Sequence, residues 1–215
     1  MVNILSKTNS IINQFIAEIR DSEIQKDRMR FRRNLERIGE IAAIEISKTM
    51  DYAEKEVVTP LGIANVPLMT EQPVIGTILR AGLPLHQGLL NYFDHADNAF
   101  VSAYRRHHKD GTFDIRLDYL SSPGLENRIL ILADPMLATG SSIVVTYRAI
   151  LEKGKPKKTH IVAVLASSEG IEYVKKHLPE DVTIWVGAVD DELTAQAYIV
   201  PGLGDAGDLA YGIKD

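Results

Sequence analysis

The chain has 215 residues, enough to bury a full core and to form one domain spanning 1–215. Its net charge of −5 argues against general nucleic-acid binding, so an anionic ligand has to be met by locally placed arginines. The lack of cysteine excludes disulfides, thiolate metal sites and a cysteine nucleophile, and no run reaches the roughly 18 apolar residues of a membrane span. The first residues lack a signal peptide's apolar core, and the cytoplasm is the expected location.

Ile11, Ile12, Phe15, Ile16 and Ile19 share one helical face. Asp21 or Ser22 restarts the chain, with Ser22 and Gln25 in capping-box spacing. Ile24, Phe31, Leu35, Ile38, Ala42 and Ile46 then predict a long amphipathic helix to about Met50. Its other face carries Lys26, Arg28, Arg30, Arg32, Arg33 and Arg37. Such a face is solvated, or serves a neighbouring subunit or an effector. Val57–Met69, broken by Pro60, Gly62 and Pro67, predicts a small hairpin beside the main sheet.

From Val74 a regular alternation begins. Strands are predicted at Val74–Leu79, Ala99–Tyr104, Arg128–Ala133, His160–Ala166 and Val182–Ala188. Helices are predicted at Pro84–Phe93, Ser142–Glu152 and Glu169–His177. This rhythm implies an α/β fold with a doubly wound parallel sheet, preceded by an N-terminal helical segment (1–50). Ligands of such sheets bind beyond the carboxyl ends of the strands.

Arg128–Ser142, R-I-L-I-L-A-D-P-M-L-A-T-G-S-S, is the most informative stretch. A strand buried on both faces ends at Asp134-Pro135, and small residues lead into a helix N-terminus. Unpaired N–H groups and the positive dipole end suit that turn to phosphate. The hydroxyls of Thr139, Ser141 and Ser142 can add donors, and the Asp134 carboxylate can accept from sugar hydroxyls. Together they describe a receptor for ribose 5-phosphate. The alternative is an ordinary strand, turn and capped helix. Arg80 and Arg105 or Arg106 follow predicted strands and have the geometric opportunity to meet an anion. Gly202–Gly207 satisfies G-x-G-x-x-G, but only eight residues follow it, which excludes the dinucleotide fingerprint. Its glycines more plausibly expose backbone N–H and C=O groups to a flat ligand.

Asp134–Ser142 resembles the diphosphosugar loop of the uracil phosphoribosyltransferases. Thr77–Leu83 resembles the same family's I-L-R-A-G-L, Tyr104-Arg105 its Tyr-Arg, and Tyr198–Asp208 its Y-I-I-P-G-L-G-D-A-G-D. The likeness runs from about Arg28 to Gly212. It implies that Asp134, Pro135, Met136, Leu137, Ala138, Thr139, Gly140, Ser141 and Ser142 hold the diphosphosugar, with Arg80 and Arg105 on its diphosphate. Ile199, Gly204, Asp205 and Ala206 would hold uracil in a small C-terminal hood (190–215), with Asp205 also approaching the diphosphosugar.

Three departures stand out. Ser141 occupies a usual glycine, 107–123 lacks the family's Tyr-x-Lys-Leu-Pro element, and Leu193–Ala197 replaces Leu-Asn-Glu-x-Gly. A hydrophilic hairpin over 107–123 is expected, and Ser167–Ile171 is read as packing. His107 and His108, adjacent on an extended segment, make a poor metal pair.

The resemblance implies transfer of the 5-phosphoribosyl group from 5-phosphoribosyl 1-diphosphate to uracil N1, giving UMP and diphosphate. Catalysis would fall to Arg80, Arg105, Asp134 and Asp205, with Mg²⁺ held mainly by substrate phosphates and water. With Ala138 where relatives carry an acid, no strong general base is expected on the loop. A homo-oligomer (dimer or tetramer) and a GTP effector are further expectations; nucleic acid and membrane are not expected partners. One rival is an RNA-binding regulator using the Lys26–Arg37 face. Another is the same enzyme class acting on orotate or a purine.

Overall fold

The structure, a computed structural model, describes residues 1–107 and 113–213. Strand β1 (Val2–Ile4) leads through helix α1 (Ile12–Arg20) to the long helix α2 (Arg28–Ser47). A two-stranded arm, β2 (Tyr52–Thr59) and β3 (Gly62–Met69), precedes β4 (Val74–Leu79), α3 (Gly82–Leu90), β5 (Asp97–His107) and β6 (Phe113–Ser121). Then come β7 (Ile129–Ala133), β8 (Met136–Leu137), α4 (Ser141–Ile150), β9 (Lys158–Ser167), α5 (Ser168–His177) and β10 (Thr183–Asp190). The chain closes with β11 (Glu192–Leu193), β12 (Ile199–Val200) and α6 (Ala206–Tyr211).

The main sheet runs β1-β10-β9-β7-β4-β5-β6, parallel except where β6 returns antiparallel along β5; β8 adds to β9. Period-two geometry explains its two layers. In β7, Ile129, Ile131 and Ala133 face the core built with α1, α2 and α3, while Leu130 and Leu132 face Ile143, Val144, Ile150 and Val174 of α4 and α5. Each fully buried Leu or Ile contributes about 1.5–3 kcal/mol. The mixed α/β architecture expected from the alternation is the one observed.

Several local readings need correction. The N-cap of α2 is Asp27, whose side chain accepts from the Arg30 N–H, whereas Ser22 does not cap it. A 3-10 turn at 24–26 intervenes, stabilised by Asp21 accepting from the N–H groups of Glu23 and Ile24. The arm begins at Tyr52, five residues earlier than read, and every residue of β2 is exposed. The edge strand β1 was not anticipated, because three residues are too few to display a period.

The basic face of α2 is not simply solvated. Arg30 forks onto Glu18 at 2.9 and 3.0 Å and, with Asn34, pulls the Glu18 carboxyl down to about 2. Arg32 donates to the Ala210 carbonyl at 2.6 Å and lies over the Tyr211 ring, while Arg37 lies over Phe15. These cations clasp α1 and α6 to α2.

Candidate functional site

Because the strands are parallel, their C-terminal ends gather at one rim. Thr77 pairs with Ala133 and Leu79 with Ser102, so Arg80 and Asp134 leave adjacent strands side by side. Arg105 lies three residues beyond Ser102 on β5; its side chain falls outside the described residues, as do those of His107 and His108. A hairpin is expected over 107–123; the observed antiparallel pair is β5 with β6 and begins at Asp97, and residues 108–112 lie outside the described residues.

The phosphate loop is built locally. The Asp134 N–H donates to Val162, and the Pro135 carbonyl accepts from Val164 and Leu165. Met136 and Leu137 then add a short strand along β9. Gly140 has φ +76°, a left-handed turn that aims the chain into α4 at Ser141. Gly140 supplies α4 with no side-chain cap, and Thr139 Oγ1 accepts from the Ser141 N–H at 3.4 Å; the positive end of the helix suits an anion. Ser141, at the usual glycine, turns its hydroxyl to Thr139 at 3.1 Å. Asp134, Met136–Gly140 and Ser142 line one cleft. Below it, the Ser167 hydroxyl donates to the Ala138 carbonyl at 2.6 Å and accepts from Gly170 N–H at 2.8 Å. The packing role expected of Ser167–Ile171 is thus to fasten this loop to β9 and α5.

The turn over 198–208 is suspended from distant parts of the chain. Arg20 forks onto Asp190 with both contacts at 2.8 Å, and its Nη1 also donates to the Gly202 carbonyl at 3.1 Å. Asp190 in turn accepts from Gly202 N–H at 3.0 Å. Gly202 has φ +56°, and a Cβ there would overlap the Ile199 carbonyl, so only glycine fits. Ile199 and Ala206 are buried in the same cluster as Ala138 and Ala133, while Gly204 is exposed. Leu193 pairs with Ile199, and Thr194 closes the small β11–β12 hairpin through the backbone and hydroxyl of its contacts with Tyr198. The divergent 193–197 stretch therefore supports the turn by its own means. Asp205 caps α6, a six-residue helix, which ends the resemblance to a dinucleotide-binding βαβ unit.

Arg80 joins the two halves. It follows β4, yet donates to Asp208 at 3.1 Å and to the Gly212 carbonyl at 3.3 Å. Thr139, Arg80 and Gly204 thus belong to segments tied to one rim.

Sequence reasoning missed Arg20, Asp190 and Asp208. Asp190 follows a buried strand just as Asp134 does, and that was the available signal for it. Arg20, 170 residues away, offered none. The buried histidines among the described residues, His86 and His160, are turned to Asn98 and Trp185. Burial holds both below the ordinary histidine value, His160 at about 4, so both are neutral near pH 7.

A family model described as "Uracil phosphoribosyltransferase" matches residues 6–213. A curated uracil phosphoribosyltransferase of Porphyromonas gingivalis is 51% identical over 210 residues, 98% of this chain and 97% of that protein. One from Thermococcus gammatolerans is 41% identical over 94% of this chain and 89% of that protein. Among solved structures, the AQ2163 protein of Aquifex aeolicus superposes with a TM-score of 0.87 at 30% identity, covering 99% of both chains. With the rim, the two turns and a match across nearly the whole length in agreement, the chain belongs to the uracil phosphoribosyltransferase family.

Proposed function

We propose that this chain makes UMP and diphosphate from uracil and 5-phosphoribosyl 1-diphosphate, with the turns at the rim dividing the substrates among them. Residues 138–142 hold the 5-phosphate, and Pro135, Met136 and Leu137 carry the chain past the sugar. Asp134 accepts from the ribose hydroxyls. Arg80 and Arg105 meet the diphosphate, where the guanidinium's planar fork and permanent charge suit phosphate oxygens. Backbone groups at Ile199, Gly204, Asp205 and Ala206 present donors and an acceptor to uracil's acceptor-donor-acceptor edge. Cytosine would leave one donor unpaired, at a cost that discriminates strongly.

Uracil N1 attacks the anomeric carbon as its bond to diphosphate breaks, through a transition state with oxocarbenium character, and the N1 proton passes to the departing diphosphate or to water. Charge accumulates on the leaving diphosphate, and preorganised cations stabilise it there. The phosphate grip is remote from the reacting carbon and contributes by orientation. Mg²⁺ fits this donor set as an ion held through substrate phosphates and water. Asp134 offers a carboxylate at the rim that would hold the ion beside those phosphates. When bound, the ion supplies charge neutralisation to the diphosphate.

The observation that carries this reading is the bond from Arg80, which follows β4, to Asp208 in the helix that Asp205 begins. Incubation with uracil, the diphosphosugar and Mg²⁺ is expected to yield UMP, with no product from cytosine, orotate or hypoxanthine. UMP absent, or formed no faster than the other nucleotides, would overturn it. An RNA-binding regulator is disfavoured because the α2 arginines already hold protein groups.

The reading includes a homo-oligomer. The arm's tip is apolar and bare, with Val58 85% and Leu61 100% exposed, and such side chains gain from burial against another copy. Leu61→Asp should reduce the species seen by light scattering to a smaller one without changing the monomer's fold; an unchanged mass would count against the arm. A GTP effector on the α2 face would have to displace Glu18 from Arg30 or Glu36 from Arg33. A cytoplasmic location agrees with the finding that no helix among the described residues is long and apolar enough to cross a membrane.

A further inference from the structure

Arg80 is held by α6 through two contacts. Its Nη2 donates to Asp208 Oδ1 at 3.1 Å and its Nη1 to the Gly212 carbonyl at 3.3 Å. Asp208 lies in the first turn of α6, where its own N–H donates to Asp205 Oδ1 at 3.0 Å. Its carbonyl accepts from Gly212 N–H at 2.8 Å, so both groups that grip Arg80 are fixed by the same turn of chain. Gly207 keeps this cluster open: a Cβ there would stand 3.2 Å from Asp205 Oδ1 and 3.6 Å from Arg80 Nη2.

We infer that Asp208 is a positioning residue that orders the Arg80 guanidinium for the diphosphate. This rests on the assignment of Arg80 to the diphosphate given above. A long, partly exposed arginine loses rotamer freedom when it grips a ligand, and a tether that restricts it beforehand removes part of that loss. The tether leaves capacity to spare. The two contacts use two of the five guanidinium N–H donors, and three remain for a forked contact with phosphate oxygens. Asp208 also ties the order of Arg80 to α6, which Asp205 caps and which lies beyond the Arg20–Gly202 anchor. An anion that merely competed with diphosphate for Arg80 would act in the opposite direction, and its removal would tighten binding.

The test compares steady-state kinetics of the wild type with Asp208→Ala, Asp208→Asn, Arg80→Ala and the Arg80→Ala/Asp208→Ala double variant, varying each substrate in turn. Asp208→Ala is expected to raise KM for the diphosphosugar about tenfold and to leave KM for uracil within about twofold. Asp208→Asn keeps an oxygen acceptor of the same reach, and should recover most of that loss; it also carries the test if the alanine variant folds poorly. The double variant should match Arg80→Ala within about twofold, because Asp208 acts only through the arginine. A diphosphosugar KM unchanged or lowered in Asp208→Ala, beside a raised one in Arg80→Ala, overturns the inference alone. So does a double variant that shows the product of the two single effects. An unchanged KM in Arg80→Ala overturns the assignment of Arg80 and this inference with it.

Discussion

The 134–142 loop, proposed for the phosphate, and the 198–208 turn, proposed for uracil, reach the same rim by different routes. The loop is continuous with β7 and α4 and is fastened to the neighbouring β9 and α5 by Pro135, Ser167 and Gly170. The turn is anchored by Arg20 near the N-terminus and Asp190 at the end of β10, and it carries Asp208 back to Arg80. A loop made by its own strand and helix is fixed as soon as they form. A turn hung from remote side chains is fixed only when the whole fold has closed. The two halves should therefore fail separately when their own supports are removed.

The largest effect is expected at Arg20. Arg20→Ala leaves Asp190, 7% exposed at its side chain, without its bidentate partner; the cost is about 3 kcal/mol of stability, since removing one partner of a buried ion pair strands the other charge. KM for uracil should rise well above its wild-type value while KM for the diphosphosugar changes little. Denaturant unfolding and substrate-varied kinetics check both parts, and equal changes in the two KM values would break the comparison.

Asp134→Asn replaces the charged two-oxygen acceptor proposed for the ribose hydroxyls with one neutral amide oxygen and should cut kcat/KM about a hundredfold, or about 2.7 kcal/mol. No histidine substitution should match it. A dead His107→Ala variant would show that a histidine takes the N1 proton, a role this mechanism leaves to the departing diphosphate or to water.

Acid should act on the sheet beneath both halves. His160 in β9 has its folded value at about 4, below the ordinary 6.5, because it is buried beside Trp185. The unfolded chain binds the proton first, so this contribution is complete above about pH 6.5 and is lost as pH falls toward 4. At pH 5 the loss is about 2 kcal/mol. His160→Gln should flatten the decline in melting temperature between pH 6.5 and 5, and an equally steep decline would remove His160 as its source.

The smallest expected effect is at Ser167, whose hydroxyl donates to the Ala138 carbonyl. Ser167→Ala should cost about 1 kcal/mol and raise the diphosphosugar KM while sparing uracil. That is the mirror image of Arg20→Ala, read from the same two assays.

The same contrast explains what could be seen in the chain before any coordinates. The alternation from Val74 onward predicted the sheet because each strand is a buried run with its turn signal beside it. The phosphate loop was legible for the same reason, with strand, acid, glycine and helix all within Arg128–Leu151. The uracil turn was legible as a motif but not as an object with supports, since Arg20–Asp190 joins residues with no local pattern in common. The basic face of α2 was legible in part: Lys26, Arg28, Arg30 and Arg33 are exposed as expected, but helical periodicity cannot show that Glu18 and Ala210 lie opposite Arg30 and Arg32. Asp21 or Ser22 reads as the restart because Ser22 and Gln25 fit the capping-box spacing, whereas Asp21 accepts within a 3-10 turn and the helix begins only at the Asp27 cap.

A crystal structure with UMP tests the central claim most directly. The account predicts the 5-phosphate within hydrogen-bonding distance of the 139–142 backbone, the ribose hydroxyls on Asp134, and the pyrimidine edge against Gly204–Ala206. UMP bound with its phosphate away from that loop, or with its base away from the 204–206 turn, would contradict it.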